Sequence, residues 1–280
     1  MMSLVLQGTA LTVTDAQDIA AQHDGEVVSN AQFSVIKLQQ SLADEQLQIL
    51  RKRYAFDINL LPKTFDGTTT DLFVTDMDST LINIECVDEI ADFINVKPQV
   101  AEITEAAMRG EIDFETSLRQ RVSLLKGLET SALERVYDER LKINPGGELM
   151  LKRLQQQGIK TALVSGGFTF FTERLKQRLN LDYTMANVLG EHNGRLTGEV
   201  VGDVCGAQAK ADFLLEHCQQ LNISPSQVVA MGDGANDLLM MDEAGLSIAY
   251  HAKPKVQAQA MTAINHCGLD GVLGLLQLEF

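Results

Sequence analysis

Apolar residues in the 280-residue chain gather into short runs separated by segments of helical spacing. Over residues 1–66 the runs Leu4–Leu6, Val27–Val28, Val35–Leu38 and Ile58–Leu61 read as strands, with helices expected over Thr14–His23 and Ala43–Tyr54. Thr14 and Ser41 are the expected N-caps, each with an acid (Asp18, Glu45) one position beyond the capping-box offset. Ser29-Asn30 is the expected hairpin turn. Read in order, β-α-β-β-α-β is a ferredoxin-like α+β unit. Lys63–Thr70, with Asp66-Gly67 and several threonines, reads as a linker.

From residue 71 the pattern alternates. Leu72–Val74 ends in Asp76, Ile159–Val164 in Ser165-Gly166-Gly167, and Val228–Met231 in Gly232-Asp233-Gly234. Leu246–Ala249 and Tyr183–Val188 are further strand candidates. Glu148–Gln157, Phe170–Leu179 and Ala207–Gln219 read as the helices between them. Such alternation predicts a doubly wound, mostly parallel sheet with helices on both faces and ligands beyond the strands' carboxyl ends. Between Glu85 and Asn144 it is interrupted by four amphipathic segments: Glu85–Ile94, Pro98–Arg109, Phe114–Lys126 and Thr130–Leu141, with Gly110 and Gly127 as stops. A simple crossover needs about a dozen residues, so this stretch reads as an inserted helical cap. Over Val188–Val200, Asn193-Gly194 signals a hairpin beside the cleft. The division expected is 1–66 and 67–280, with the cap at about 85–144.

Composition narrows the function. A net charge of −15 argues against sequence-independent nucleic-acid binding, which needs a Lys/Arg surface to displace counterions. It leaves room for a small anionic substrate, because a metal ion and a few local cations reverse the field within one cleft. The cysteines, Cys86, Cys205, Cys218 and Cys267, form no CxxC pair, and the histidines no HxxxH or HExxH, so a structural zinc site is not expected. No secretory signal or membrane-spanning run is visible, and a cytoplasmic location is expected.

The candidate chemistry lies in Asp76-Met77-Asp78-Ser79-Thr80, directly after an apolar strand. Alone it fits a turn, where Asp and Ser are common. Three companions follow in strand-to-loop context: Ser165 before two glycines whose amides can approach a phosphate, Lys210 near a helix start, and Asp233 and Asp237 in GDGAND. A carboxylate nucleophile is repelled by a phosphomonoester dianion. Attack therefore calls for a cation such as Lys210 and a hard metal ion held by carboxylates.

Four ordered motifs of this kind resemble the haloacid dehalogenase superfamily (DxDxT, Ser/Thr, Lys, GDxxxD) over about residues 71–280. DMDSTLINIECVD over 76–88, FETSLRQRVSLLKG over 114–127, VSGGF over 164–168 and Ala252-Lys253-Pro254 resemble, within it, the phosphoserine phosphatase family. The resemblance implies Mg²⁺ held by Asp76, Asp233 and the Asp78 carbonyl, with Asp76 as nucleophile and Asp78 as acid/base. Lys210, Ser165, Gly166 and Gly167 then bind the phosphoryl group, with Asn236 and Asp237 in support. Glu85 is implied on the ammonium and Arg121 on the carboxylate of O-phospho-L-serine, with Met108 and Phe114 as lid walls. Ser79, where the wider superfamily commonly has Gly, is what the serine phosphatases show.

Blander readings stand beside these. Glu85 suits a helix start through the dipole, Arg121 an exposed helix face, and Met108 and Phe114 a core. The implied activity is Mg²⁺-dependent hydrolysis of phosphoserine through an aspartyl-phosphate, as the last step of serine biosynthesis. A phosphotransferase to another amino alcohol such as homoserine, or a phosphorylatable receiver-type module, uses the same carboxylates. The N-terminal unit looks like the ACT small-molecule-sensing module in topology, and a homodimer through it is expected.

Overall fold

The computed structural model describes residues 2–30, 32–109 and 111–278, apart from the Met108 side chain. The chain opens with β1 (Met2–Gln7), α1 (Val13–Gln22), β2 (Gly25–Ser29), β3 (Phe33–Leu38), α2 (Asp44–Arg53) and β4 (Asp57–Leu60). The strands form an antiparallel sheet of order β2-β3-β1-β4, the ferredoxin-like arrangement. Strand alternation sorts its faces: Leu4 and Leu6 join Ile19, Ile36, Leu47 and Leu50 under α1 and α2, whereas Val5, Phe33 and Val35 join the main core.

Helix α1 is capped by Thr12, not Thr14. The Thr12 hydroxyl accepts from Asp15 N and the Asp15 carboxylate from Thr12 N, both at 3.1 Å, which places a true three-residue box two positions upstream of the expected one. Helix α2 begins after Ala43 rather than Ser41; Gln46 Oε1 accepts from Ala43 N at 3.1 Å. Asn30 does form the turn between β2 and β3, its side-chain oxygen accepting from Gln32 N and Phe33 N. Within the expected linker, Asp66 caps a single 3-10 turn at Gly67–Thr69.

The second sheet starts at β5 (Leu72–Thr75). The cap follows as α3 (Cys86–Asp92), α4 (Lys97–Met108), α5 (Phe114–Ser123) and α6 (Ser131–Arg135), the last running into a π-helical turn at Val136–Arg140. All four cap helices thus end earlier than their apolar spacing suggested, by one residue in α4 and by more in α3, α5 and α6, and Gly110 lies outside the described residues. Then come α7 (Gly147–Gln156), β6 (Lys160–Phe168), α8 (Thr169–Leu179), β7 (Tyr183–His192), β8 (Arg195–Val201), α9 (Ala207–Leu221), β9 (Val228–Gly232), α10 (Leu238–Glu243), β10 (Leu246–Tyr250), α11 (Pro254–Gln257), β11 (Thr262–Ile264) and α12 (Gly271–Leu275). The short α10, α11, β11 and α12 were not legible as apolar runs.

The sheet order is β11-β10-β9-β5-β6-β7-β8, parallel except for the β7–β8 hairpin. Asn193 (φ 51°) and Gly194 (φ 74°) turn that hairpin with the positive angles a type I′ turn requires. Central strands bury both faces: Leu72 and Val74 point into one apolar layer, Phe73 into the other. The chain leaves β5 for β6 on one side and later places β9 on the other, so β5 marks the switch point where such sheets bind ligands.

Two connectors carry the cap. They pair as a short antiparallel bridge, Ile82↔Ile143, and Asn144 Nδ2 donates to Thr80 O (2.7 Å) and Ile82 O (3.1 Å). Inside the cap, Arg140 binds Glu89 (2.5 Å) and Asp92 (2.8 Å), Lys97 binds Glu89 (3.0 Å), and Arg135 and Arg140 both lie over the Phe93 ring.

The two sheets meet edge to edge. The Asn59 carboxamide donates to Ala263 O at 2.8 Å and accepts from Ala263 N at 2.9 Å, completing the edge of β11 from β4. Beside it, the Asp57 carboxylate accepts from the amides of Asn265, His266 and Cys267. Among the described residues no helix is long and apolar enough to cross a membrane.

Candidate active site

Strand β5 ends against Asp76, whose amide donates to Met231 O at 2.9 Å. Met77–Leu81 then makes one wide turn, closed by Ile82 N to Met77 O at 3.0 Å. Ser79 sits there at φ 56°, a left-handed angle costing a non-glycine residue roughly 1–2 kcal/mol. A glycine would hold this angle freely; the serine instead donates its hydroxyl to Glu85 Oε1 at 2.7 Å, and so fixes that side chain. The Asp78 carboxylate accepts from the Cys86 amide at 3.2 Å, at the start of α3.

Lys210 rises from the first turns of α9, is 0% exposed, and donates to Asp76 Oδ1 at 2.5 Å and Asp237 Oδ1 at 2.7 Å. Burial works against its charge, but the carboxylates of Asp237 and Asp76 outweigh it and hold its pKa above the ordinary lysine value. Asp237 Oδ2 accepts from Gly234 N at 3.0 Å, so both Asp237 oxygens are engaged. Asp233 Oδ1 accepts from the Thr80 hydroxyl at 3.2 Å.

One oxygen each from Asp76, Asp233 and Asp237 lies within 4.8 Å of the others. Burial, with the charges of Asp237 and Glu85 adding to it, pushes the Asp233 carboxyl up to about 6. Burial and the charge of Glu85 push Asp78 up to about 7. Burial likewise raises Asp76 against the pull of Lys210. A single buried ammonium does not neutralise this group of carboxylates. Hard oxygen donors so crowded can hold a small divalent cation, and they fit one chemically.

Ser165 (1% exposed), Gly166 and Gly167 line the other side, at the end of β6. The Gly167 amide donates to Ser165 Oγ at 2.8 Å, so here it serves the loop itself. A Cβ on Gly167 would lie 2.9 Å from Asp78 Oδ2. From the cap, the half-buried Phe114 covers this loop: a Cβ on Gly166 would lie 2.9 Å from its ring, and one on Gly206 3.6 Å.

Arg121, on α5, donates to Ser117 O at 3.4 Å and makes no ion pair among the described residues. Burial lowers its pKa against the opposing fields of Asp88, Glu85 and Asp78. Arg119, one turn-face away, pairs instead with Glu115 at 2.8 Å. Asn236 packs over Gly234 in the one-turn helix Ala235–Asp237. The Met108 side chain is outside the described residues.

The structure therefore brings Asp76, Asp78, Ser165, Gly166, Gly167, Lys210, Asp233 and Asp237 around one point at the switch of the sheet, with Phe114 above. Two contacts are not legible in the sequence. Thr80, the last residue of the DxDxT run, touches Asp233. Asn187, 1% exposed, donates to Gly166 O and accepts from Cys205 N, both at 2.8 Å. Nothing in a lone Asn within a strand signals this. A cavity of about 490 Å³ between α2, β4 and the α11–β11 region shares no lining residue with the acidic cluster.

A doubly wound sheet bearing this carboxylate–lysine cluster under a helical cap defines a class of hydrolase, and residues 70–245 match the haloacid dehalogenase-like hydrolases. The chain is 58% identical over 211 residues to a phosphoserine phosphatase of Polaromonas sp., covering 74% of this chain and 89% of that protein. The unliganded crystal structure of a probable phosphoserine phosphatase from Vibrio cholerae superposes with a TM-score of 0.85 at 42% identity, over 98% of this chain and 86% of that one. A structure described as a phospho-aspartyl intermediate analogue of phosphoserine phosphatase matches 75% of this chain and 99% of its own, at 40% identity and a TM-score of 0.69. The chain belongs to the haloacid dehalogenase-like hydrolases and, within them, to the family of the phosphoserine phosphatases.

Proposed function

We propose that the chain hydrolyses O-phospho-L-serine to L-serine and phosphate with Mg²⁺, in the pathway that makes serine. The observation that carries this reading is a cap carboxylate, Glu85, held by the Ser79 hydroxyl beside Asp78, together with the half-buried Arg121, which makes no ion pair among the described residues and feels the fields of Glu85 and Asp78. An amino acid offers one group to each. Glu85, fixed by Ser79, takes the ammonium; the Arg121 fork takes the carboxylate.

Among the described residues Asp76 and Asp233 each keep an oxygen without a protein partner and, with the Asp78 carbonyl, would hold Mg²⁺; Asp237, with both oxygens engaged, orients Lys210. When bound there, the ion supplies positive charge beside the phosphoryl oxygens. Asp76 attacks phosphorus as the ester P–O bond breaks, and Asp78, whose pKa is about 7, gives its proton to the serine oxygen. Asp78 then takes a proton from water, which attacks the aspartyl-phosphate and releases phosphate. Lys210, the Ser165 hydroxyl and the Gly166 amide hold the phosphoryl oxygens, while Phe114 excludes water. Residues 1–66 are proposed as an ACT-like unit on a catalytic body at 67–280, with the cap over 85–144 and a homodimer through the small unit.

The test is phosphate release from phosphoserine, phosphothreonine and p-nitrophenyl phosphate, with Mg²⁺ and with EDTA. Metal-dependent turnover strongly favouring phosphoserine, without added acceptor, is expected. Turnover of the plain ester alone would discard Glu85 and Arg121 as amino-acid readers, and release only with an alcohol acceptor would point to a transferase.

A further inference from the structure

Strands β6 and β7 pair through Ala162↔Tyr183, Leu163↔Thr184 and Val164↔Met185, and then the register jumps to Phe168↔Asn187. Ser165, Gly166 and Gly167 face a single residue of β7, Ala186, and are thrown out of the ladder as the loop beside Asp78. A bulge leaves backbone groups without ladder partners. The Gly166 carbonyl lies within this bulge, and the buried Asn187 Nδ2 donates to it at 2.8 Å. The other edge of the same carboxamide accepts from Cys205 N at 2.8 Å. Cys205 directly precedes Gly206, which opens α9; Lys210 N donates to Gly206 O at 3.1 Å in the first turn.

One side chain therefore joins the loop that offers Ser165 to the helix start that offers Lys210. The Phe114 ring lies over Gly166, one of the two points so joined, and over Gly206, the neighbour of the other. Few side chains carry a donor and an acceptor at fixed opposite edges, and Asn does so at this length. Asp would keep the acceptor for Cys205 but set an oxygen against the Gly166 carbonyl.

We propose that Asn187 is a positioning residue for phosphoryl transfer: it fixes the Ser165–Gly167 loop relative to the α9 start, so that hydroxyl, amide and ammonium meet the same phosphoryl group. The inference rests on the phosphomonoester reading above but not on the identity of the leaving group.

Asn187→Asp and the smaller Asn187→Ser, in the full chain, test it. Misplacement of about 1 Å can cost on the order of 100-fold in rate. Loss of kcat by about 10- to 100-fold per folded molecule is expected, equal for phosphoserine and p-nitrophenyl phosphate because both share the phosphoryl group. Inhibition by orthovanadate, which mimics the phosphoryl group in transfer, is expected to weaken in parallel, and KM for phosphoserine to move much less. A folded variant with unaltered kcat and vanadate inhibition would overturn the proposal. So would activity lost only in proportion to the unfolded fraction seen by circular dichroism, which is what a purely structural Asn gives. If neither variant folds, the unaltered chain decides: vanadate binding is expected to shift the Asn187 side-chain amide resonances, and unmoved resonances would overturn the proposal. If the unaltered chain cleaves the plain ester but not phosphoserine, the substrate reading fails and Asn187 is judged on the plain ester. If it cleaves neither, the phosphomonoester reading fails and this inference with it.

Discussion

Lys210, Asp76 and Asp237 form a buried charge cluster of the kind in which removing one partner leaves the others uncompensated, at a cost of roughly 3–5 kcal/mol. Arg121 is different, since among the described residues no carboxylate forms an ion pair with it. Arg121→Ala is expected to lower kcat/KM for phosphoserine by about 100-fold, the loss of a bidentate charged pair of about 3 kcal/mol, and to change p-nitrophenyl phosphate turnover little. Equal losses would remove Arg121 from carboxylate recognition. Gly166 is constrained by approach: a methyl group there meets the Phe114 ring at 2.9 Å. Gly166→Ala is expected to prop the cap, raising KM about tenfold while Tm stays near that of the unaltered chain; unchanged KM would mean that the ring yields freely. At this scale the motif residues were legible because each follows an apolar strand within a few positions. The Thr80–Asp233 contact and the role of Asn187 were not, because the partners are supplied by folding: Asp233 stands 153 positions from Thr80 and Cys205 stands 18 from Asn187.

Elements were read well where periodicity was long and poorly where it was short. The sheet strands before Asp76, Ser165 and Asp233 stand out as runs too apolar to leave in water. The three-residue β11 carries no such signal and takes its form from Ile248↔Thr262 pairing with β10. Thr12 and Thr14 competed for one cap, and the winner is the residue with an acid at the third position after it. Within the cap, Glu89 binds both Lys97 and Arg140, which ties α3 to α4 and to the turn ending at Arg140. Arg140→Gln is expected to cost about 1 kcal/mol for a partly exposed network, or roughly 2–4 °C in Tm. A scan that finds no shift would show the cap held by its apolar contacts alone.

Across the whole molecule, the small sheet and the large one could be foreseen separately, but their junction could not. Asn59 and Ala263 are 204 positions apart, and neither belongs to a motif. Asn59→Leu leaves a buried N–H and C=O of Ala263 without partners, at about 1–3 kcal/mol each. In urea, a separate early transition of the N-terminal sheet is expected; a single transition at lower denaturant would instead show that the two sheets unfold as one. Either pattern is read by comparing far-UV circular dichroism with turnover across the titration.

The same seam bears on any attempt to learn what residues 1–66 do by cutting them away. The shortened chain would bare the backbone of β11 at Ala263 and strip Asp57 from the amides of Asn265, His266 and Cys267. Naked strand margins recruit other strands, so such a fragment would tend to clump. Its silence in an assay would report a torn hem rather than a missing regulator. Helix α2 borders the seam through Arg51 and Asn59, so point substitutions on α1, which packs on β2 and β3, are the cleaner instrument.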